Sequence, residues 1–309
     1  MRKLLALSAA LVAALAVGLA PAGAIVNGGV PDNGEHPMVG ELLFYVPDAP
    51  DPRFTDPGAW FTCSGTLLSP TVLLTAGHCA DGVGLNGVAT TPTGGDGGND
   101  VWVNFEDEPD FSILPPSSTF VPTDDNAGRY AAWSAALNAS DEWNRGTAQA
   151  HPDYNPAAFF LFDAGIIVLA EPIAGVSDFG ELAEEGTLDS KEAKKELYTP
   201  VGYGLNASGP QPAQQLGGDI RFKATMKLVN VDGTFGIPKG TSAKFSSNNG
   251  QPHQGGTCFG DSGGPIFREG TLEIVAVTSF GISSTCSGSS GGYRVDQEDD
   301  QEWIGSFLD

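Results

Sequence analysis

Cys258-Phe259-Gly260-Asp261-Ser262-Gly263-Gly264-Pro265 is the stretch on which the reading of this chain turns. A serine hydroxyl is a weak nucleophile. It needs a base within hydrogen-bond reach and N–H donors facing the charge that develops during attack. Glycines on both sides of Ser262 let the backbone turn tightly and present such donors. Alone, the pattern Gly260-x-Ser262-x-Gly264 also fits the nucleophile elbow of α/β-hydrolases. Chain order separates the two. All four histidines, His36, His78, His151 and His253, precede Ser262, whereas the hydrolase order places its histidine after the serine. The subtilisin order needs an acid ahead of the histidine on a parallel-sheet fold, and that pattern is missing. The surviving order is histidine, aspartate, serine.

Working outward, His78 stands in Leu73-Leu74-Thr75-Ala76-Gly77-His78-Cys79, a strand ending in a small-residue turn that holds an imidazole at a rigid edge. Asp163 stands in Phe159-Phe160-Leu161-Phe162-Asp163-Ala164-Gly165-Ile166-Ile167-Val168-Leu169, a carboxylate among core-forming residues. A buried Asp is costly unless paired, so it is expected to accept from a partner such as an imidazole N–H. Its rival, Asp153, lies in a polar, Pro-flanked setting that would not bury it, and His36, His151 and His253 read as structural.

Short apolar runs punctuated by turn residues fill the rest: 38–46, 65–68, 72–75, 165–170 and 272–280. These are strands of an antiparallel, all-β protein. Residues 129–143 are Ala-rich and helix-compatible, and Trp303, Ile304, Phe307 and Leu308 sit at helical spacing, predicting a C-terminal helix. The polar stretch Asp178 to Glu196 reads as a linker between residues 25–180, which carry His78 and Asp163, and residues 181–309, which carry Ser262.

The chain of 309 residues carries 15 basic and 38 acidic side chains, a formal charge of -23. Such a surface repels phosphate backbones and anionic headgroups, which excludes nucleic acid as a partner. Arg2 and Lys3 precede an apolar run from Leu4 to Ala20, followed by Pro21 and Ala22-Gly23-Ala24. This reads as a secretory signal over residues 1–24 with an A-x-A cleavage site. Its removal leaves 13 basic against 38 acidic groups, or -25, on a 285-residue chain expected to be secreted, monomeric and free of the membrane. Four cysteines in an exported chain read as two disulfides, with three connectivities open. Short Cys/His spacings suited to zinc are absent, and no cofactor or metal is expected.

Ile25-Val26-Asn27-Gly28-Gly29, Thr75-Ala76-Gly77-His78-Cys79, Asp163 to Leu169, Cys258 to Pro265 and Ser279-Phe280-Gly281 together resemble the chymotrypsin/trypsin family of serine proteases. They fall in the family's order from Ile25 to Tyr293-Arg294-Val295. The resemblance implies two six-stranded antiparallel β-barrels with the active site between them and polypeptides as substrates. It implies Ser262 as nucleophile, His78 as general base and then acid, and Asp163 as the group that orients the imidazole. The backbone N–H groups of Gly260 and Ser262 would form the oxyanion hole, Ser279 would support Asp163, and residues 279–281 would pair with substrate. It further implies the disulfides Cys63–Cys79 and Cys258–Cys286, and activation when a new terminus at Ile25 pairs with Asp261. With signal cleavage directly before Ile25, the enzyme would be exported active.

The same resemblance puts Gly256, followed by Thr257, at the specificity pocket floor, where trypsin-like members carry an acid, and Gly281 and Gly291 on its wall. A floor without a carboxylate offers no charge pairing for Lys or Arg. Cleavage is therefore expected after large apolar or aromatic residues, with Phe259 at the mouth. Two other readings stand beside this one: an inactive homologue acting as a binding module, and an esterase with the same triad. From His78 to Asp163 is 85 residues, more than the family needs, so an insertion is expected within 81–145, read as a solvated surface excursion. Asp96, Asn99, Asp100, Glu106 and Asp107 there lack EF-hand spacing, and read as an acidic loop rather than a calcium site.

Overall fold

The protein is described by a computed structural model covering residues 25, 28–86, 99–205, 207–208, 215–216, 219–233, 237–248, 250–281, 283 and 285–308. The signal segment 1–24 and Asp96 lie outside the described residues, as do Val26 and Asn27. No helix among the described residues is long and apolar enough to cross a membrane.

Twelve strands build two closed barrels. The first uses β1 (Val39–Val46), β2 (Ala59–Leu67), β3 (Val72–Thr75), β4 (Asp100–Asn104), β5 (Asn144–Ala150) and β6 (Gly165–Leu169) in the order β1-β2-β3-β6-β5-β4, with β4 closing on β1. The second uses β7 (Leu197–Gly202), β8 (Met226–Asn230), β9 (Ser242–Ser246), β10 (Pro265–Arg268), β11 (Glu273–Gly281) and β12 (Ser289–Arg294) in the order β7-β8-β9-β12-β11-β10, with β10 closing on β7. Every pairing in both rings is antiparallel, and the wiring is the same in each. Closure leaves neither ring with an open edge. The family-implied architecture of two six-stranded barrels is thus what the chain adopts.

Strand β1 explains why part of the long 81–145 stretch is ordered. Leu42 and Phe44 point into the barrel core, while Leu43 and Tyr45, on the alternate face, belong to a second cluster with Trp102, Tyr130, Leu137 and Trp143. A strand that is apolar on both faces needs cover on both. The cover is α1 (Asn126–Asn138), capped by the Asp125 side chain accepting from Gly128 N–H at 2.5 Å. The surface-excursion reading therefore fails for this part: 81–145 contributes barrel strand β4 and a helix with a buried face.

The main core runs continuously from Leu42, Leu73 and Ile166 in the first barrel to Val201, Phe267 and Val277 in the second. The C-terminal α2 (Glu298–Gly305) buries Ile304 in that core and sets Trp303 edge-on to His151, 4.9 Å between rings, tying the chain end to the first barrel. Cys63 bonds Cys79 and Cys258 bonds Cys286, the pairing the resemblance implies. Closing loops of 16 and 28 residues restricts the unfolded chain. Each is worth roughly 3 kcal/mol.

Candidate active site

His78 sits on a single 3-10 turn, Gly77–Cys79, at the end of β3, anchored by the Cys79 disulfide. Gly77 is required there: a Cβ would stand 3.1 Å from the Ala164 carbonyl and 2.9 Å from the Tyr154 ring. That close approach brings the turn against the segment before β6. Asp163, fully buried, accepts from the His78 backbone N–H at 2.8 Å, and His78 Nδ1 lies 3.1 and 3.0 Å from its two oxygens. The Ser279 hydroxyl, from β11, donates to Asp163 Oδ2 at 2.5 Å. A carboxylate held by three donors satisfies the pairing that its burial demands. Phe162 just before it takes a left-handed φ of 51° and stacks on His151 at 5.0 Å. That left-handed residue immediately precedes the buried Asp163.

With Nδ1–H given to Asp163, His78 Nε2 is left to face the cleft. Burial disfavours the charged imidazolium, but the charge of Asp163 and its hydrogen bond outweigh this and raise the His78 pKa above the ordinary 6.5.

Ser262 lines the same cleft as His78, together with Gly260. The loop carrying it is fixed peptide by peptide. The Phe259 carbonyl accepts from Leu205 N–H at 2.8 Å, and the Asp261 carbonyl from Gly264 N–H at 2.9 Å. In a trans peptide the N–H points opposite its carbonyl, so these two bonds turn the Gly260 N–H away from Leu205 and the Ser262 N–H away from Gly264. The Ser262 carbonyl accepts from Ser64 N–H at 2.7 Å, and the Ser64 hydroxyl donates to the Gly260 carbonyl at 3.0 Å. The first barrel thus clamps the serine loop of the second. Gly260 and Gly263 hold φ values of 97° and 77°, which disfavour any side chain.

A cavity of about 400 Å³ opens beside Ser262. Thr257, Ser279 and Gly281 line it, with Phe159, Phe259 and Phe280. Gly256 and Gly291 are not among its lining residues: Gly256 packs on Ser247 and Ser290, and the Phe280 ring lies over Gly291. Strand β11 has a register irregularity between Thr278 and Phe280, so Phe280 pairs directly with Gly291. No charged side chain among the described residues lines the cavity.

Asp261, fully buried, accepts from the backbone N–H groups of Gly204 at 2.8 Å and Cys258 at 2.7 Å. Burial pushes its pKa up to about 7, the two N–H donors pulling the other way. Ile25 is buried against Phe222 and Ala224 and is preceded by residues 1–24, so it carries no free amine. Next to this region stands a cluster that sequence reading missed. Arg221, 2% exposed, donates to Asp32 at 3.1 Å, to the carbonyls of Val39 and Phe105, to the Tyr203 hydroxyl at 2.8 Å and to Asp107. Asp32 also holds His36 Nδ1 at 2.5 Å. Of the acids weighed for calcium, Asp107 is thereby engaged by Arg221, and Asp100 by Arg145 and the Tyr130 hydroxyl. Among the described residues the one compact group of metal-binding types is Cys63, His78 and Cys79, and its two sulfurs are spent in a disulfide.

The family model for trypsin matches residues 124–304. Brachyurin from Leptuca pugilator is 25% identical over 226 residues, spanning 73% of this chain and 78% of its own. The solved structure of HL collagenase aligns with 92% of this chain and 98% of its own, at a TM-score of 0.60 and 17% identity, a likeness of fold. With over half its length matched by the family model, the chain belongs to the trypsin family of serine proteases.

Proposed function

We propose that this protein is a secreted serine endopeptidase that cleaves peptide bonds through an acyl-enzyme, after large apolar or aromatic residues. The observation that carries the reading is the chain of contacts from Ser279 through Asp163 to His78, with Ser262 across the same cleft. His78 Nε2 takes the Ser262 proton as Oγ bonds to the scissile carbonyl carbon, and the imidazolium is held by Asp163. The oxyanion is met by the N–H groups of Gly260 and Ser262. The tetrahedral adduct collapses as the C–N bond breaks and His78 returns the proton to the leaving amine. Water then repeats the sequence on the acyl-enzyme and frees Ser262.

Three phenylalanines around a 400 Å³ cavity with no charged lining favour an apolar side chain before the scissile bond. Secretion follows from residues 1–24, and cleavage before Ile25 supplies an amine for Asp261. That buried carboxyl, which accepts from two backbone N–H groups among the described residues, is suited to receive it. N-terminal sequencing of exported protein should begin at Ile25; a start upstream would contradict direct activation.

Peptides varied at the residue before the scissile bond, together with simple esters and collagen, for which one structural relative is named, test the whole reading. Cleavage after Phe, Tyr or Leu is expected. Ester turnover without peptide cleavage would make the chain an esterase, and cleavage after Lys or Arg would overturn the pocket assignment.

A further inference from the structure

His151 follows β5 directly and is buried, with 5% of its surface exposed. Its ring stacks on Phe162, with 5.0 Å between centroids and planes 13° apart, and meets Trp303 of α2 at 4.9 Å and 68°. Its Nδ1 accepts from the Asp153 backbone N–H at 3.1 Å. Nδ1 therefore carries no proton, and the ring is the neutral tautomer with its hydrogen on Nε2. A proton added at Nδ1 would set two donors against each other.

This one residue holds both chain neighbours of Asp163. It grips Phe162 through the ring stack, and its backbone N–H donates to the Ala164 carbonyl at 2.8 Å. Phe162 needs such a hold, because its φ of 51° is a left-handed conformation that a bulky side chain keeps only where its surroundings fix it. Fixing Phe162 and Ala164 fixes the peptide planes on either side of Asp163. His151 itself lines neither the cleft beside His78 nor the 400 Å³ cavity.

The carboxylates that act on the ring are Asp153 on its own turn and Asp299 on α2. The other charged or titratable groups nearby are engaged or neutral. Asp163, on the Phe162 segment, is taken by His78 and Ser279, Asp300 of α2 accepts from the Tyr293 hydroxyl, and burial raises the pKa of Tyr154. For His151, burial disfavours the cation and outweighs Asp153 and Asp299, so its pKa lies below the ordinary 6.5.

We propose that His151 is a positioning residue for Asp163 that works only while its ring is neutral, so a second proton, on a side chain remote from substrate, disables the triad in acid. Protonation of Nδ1 breaks the bond from Asp153, places a charge between Phe162 and Trp303, and releases the segment that presents Asp163 to His78. The inference rests on the proposed acyl-enzyme chemistry, in which His78 alone accounts for one proton.

The test is the acid limb of log(kcat/KM) against pH, measured on an N-acyl-phenylalanine methyl ester with the chain beginning at Ile25. One proton on His78 gives a limiting slope of one, and a second on His151 steepens it to two at lower pH. His151→Asn, whose side-chain oxygen can accept from Asp153 N–H but takes up no proton, and His151→Phe, which keeps the stacked ring, should both return the slope to one. At pH 8 His151→Asn should lower kcat by about tenfold or more with KM unchanged, and His151→Phe should recover most of that loss. Should neither variant fold, nuclear magnetic resonance of isotope-labelled histidine in the parent decides: Nδ1 of His151 must gain its proton where the steeper limb begins. A parent slope of one throughout, a slope of two kept by either variant, parent kcat in His151→Asn, or a His151 titration away from the steeper limb overturns the inference alone. No ester turnover by the parent at pH 8 overturns the proposed chemistry and this inference with it.

Discussion

The side chains of His78 and Ser279, from distant parts of the sequence, meet at the carboxylate of Asp163. Its oxygens take donors from the His78 backbone, the His78 ring and Ser279. Asp163→Asn would present an N–H where an acceptor is needed and favour the wrong imidazole tautomer. kcat should fall by roughly 10⁴ with the fold intact, as judged by steady-state rates and circular dichroism. The same contact governs pH dependence. His78 acts as a base only when neutral, so kcat/KM rises with pH through its pKa. Asp163 raises that pKa, so the acid limb should lie above the ordinary 6.5, and in Asp163→Asn, with burial alone acting, the residual limb should move below it. An acid limb unmoved by the substitution would detach His78 from Asp163. These residues were legible in the sequence because each lies in a short motif whose composition carries its own reason: glycine where backbone must approach, apolar neighbours where a carboxylate must be buried.

Elements place what residues alone do not. At Gly263, φ is 77° and a Cβ would come within 2.5 Å of the Ser64 carbonyl and 2.7 Å of the Ala76 nitrogen. That position is where the serine loop docks on the first barrel. Gly263→Ala should cost about 2–3 kcal/mol or more, read as a lowered thermal midpoint, and should reduce turnover because the N–H groups of the hole shift with the loop. A neutral substitution would mean the docking is loose. Register is also where sequence reading ran short. Gly256 and Gly291 were expected in the specificity cavity, yet the irregularity in β11 sets Phe280 over Gly291. A one-residue offset exchanges the faces of a strand, and no local composition announces it. The composition of helix α1 is helix-compatible but does not mark it as cover, because its partners Leu43 and Tyr45 lie over 80 residues earlier and read as ordinary strand residues.

For the whole molecule the acidity divides into two populations. Much of the -23 charge is solvated surface, but several carboxyls are buried, and burial raises their pKa values above the ordinary carboxylate range. Glu41, fully buried, faces Asp219; burial first, then the charge of Asp219, lifts its pKa well above 4.5. Asp261 and Asp300 are each pushed up to about 7, chiefly by burial. A carboxyl with a raised folded pKa binds its proton more tightly folded than unfolded, so stability is greatest in acid and falls as pH climbs from about 4 through 7. The unprocessed chain should therefore be more stable near pH 4 than near pH 8 in urea titrations, and Asp261→Asn should flatten that slope. Once a free Ile25 amine pairs with Asp261, the sign of that residue's contribution reverses: its pKa drops, and its stabilisation is lost in acid instead. An identical pH slope in processed and unprocessed chains would contradict the pairing. Arg221 was invisible in sequence, since its partners Asp32 and Asp107 lie 189 and 114 positions away. Only the joined barrels bring them to one guanidinium. Both barrels and the His78–Asp163 pair serve one serine, and the direct measurement is fluorophosphonate labelling of the chain beginning at Ile25, followed by peptide mapping. A single adduct on Ser262 is predicted, absent in Ser262→Ala and slowed by orders of magnitude in His78→Ala. No adduct, or one that persists in Ser262→Ala, would contradict it.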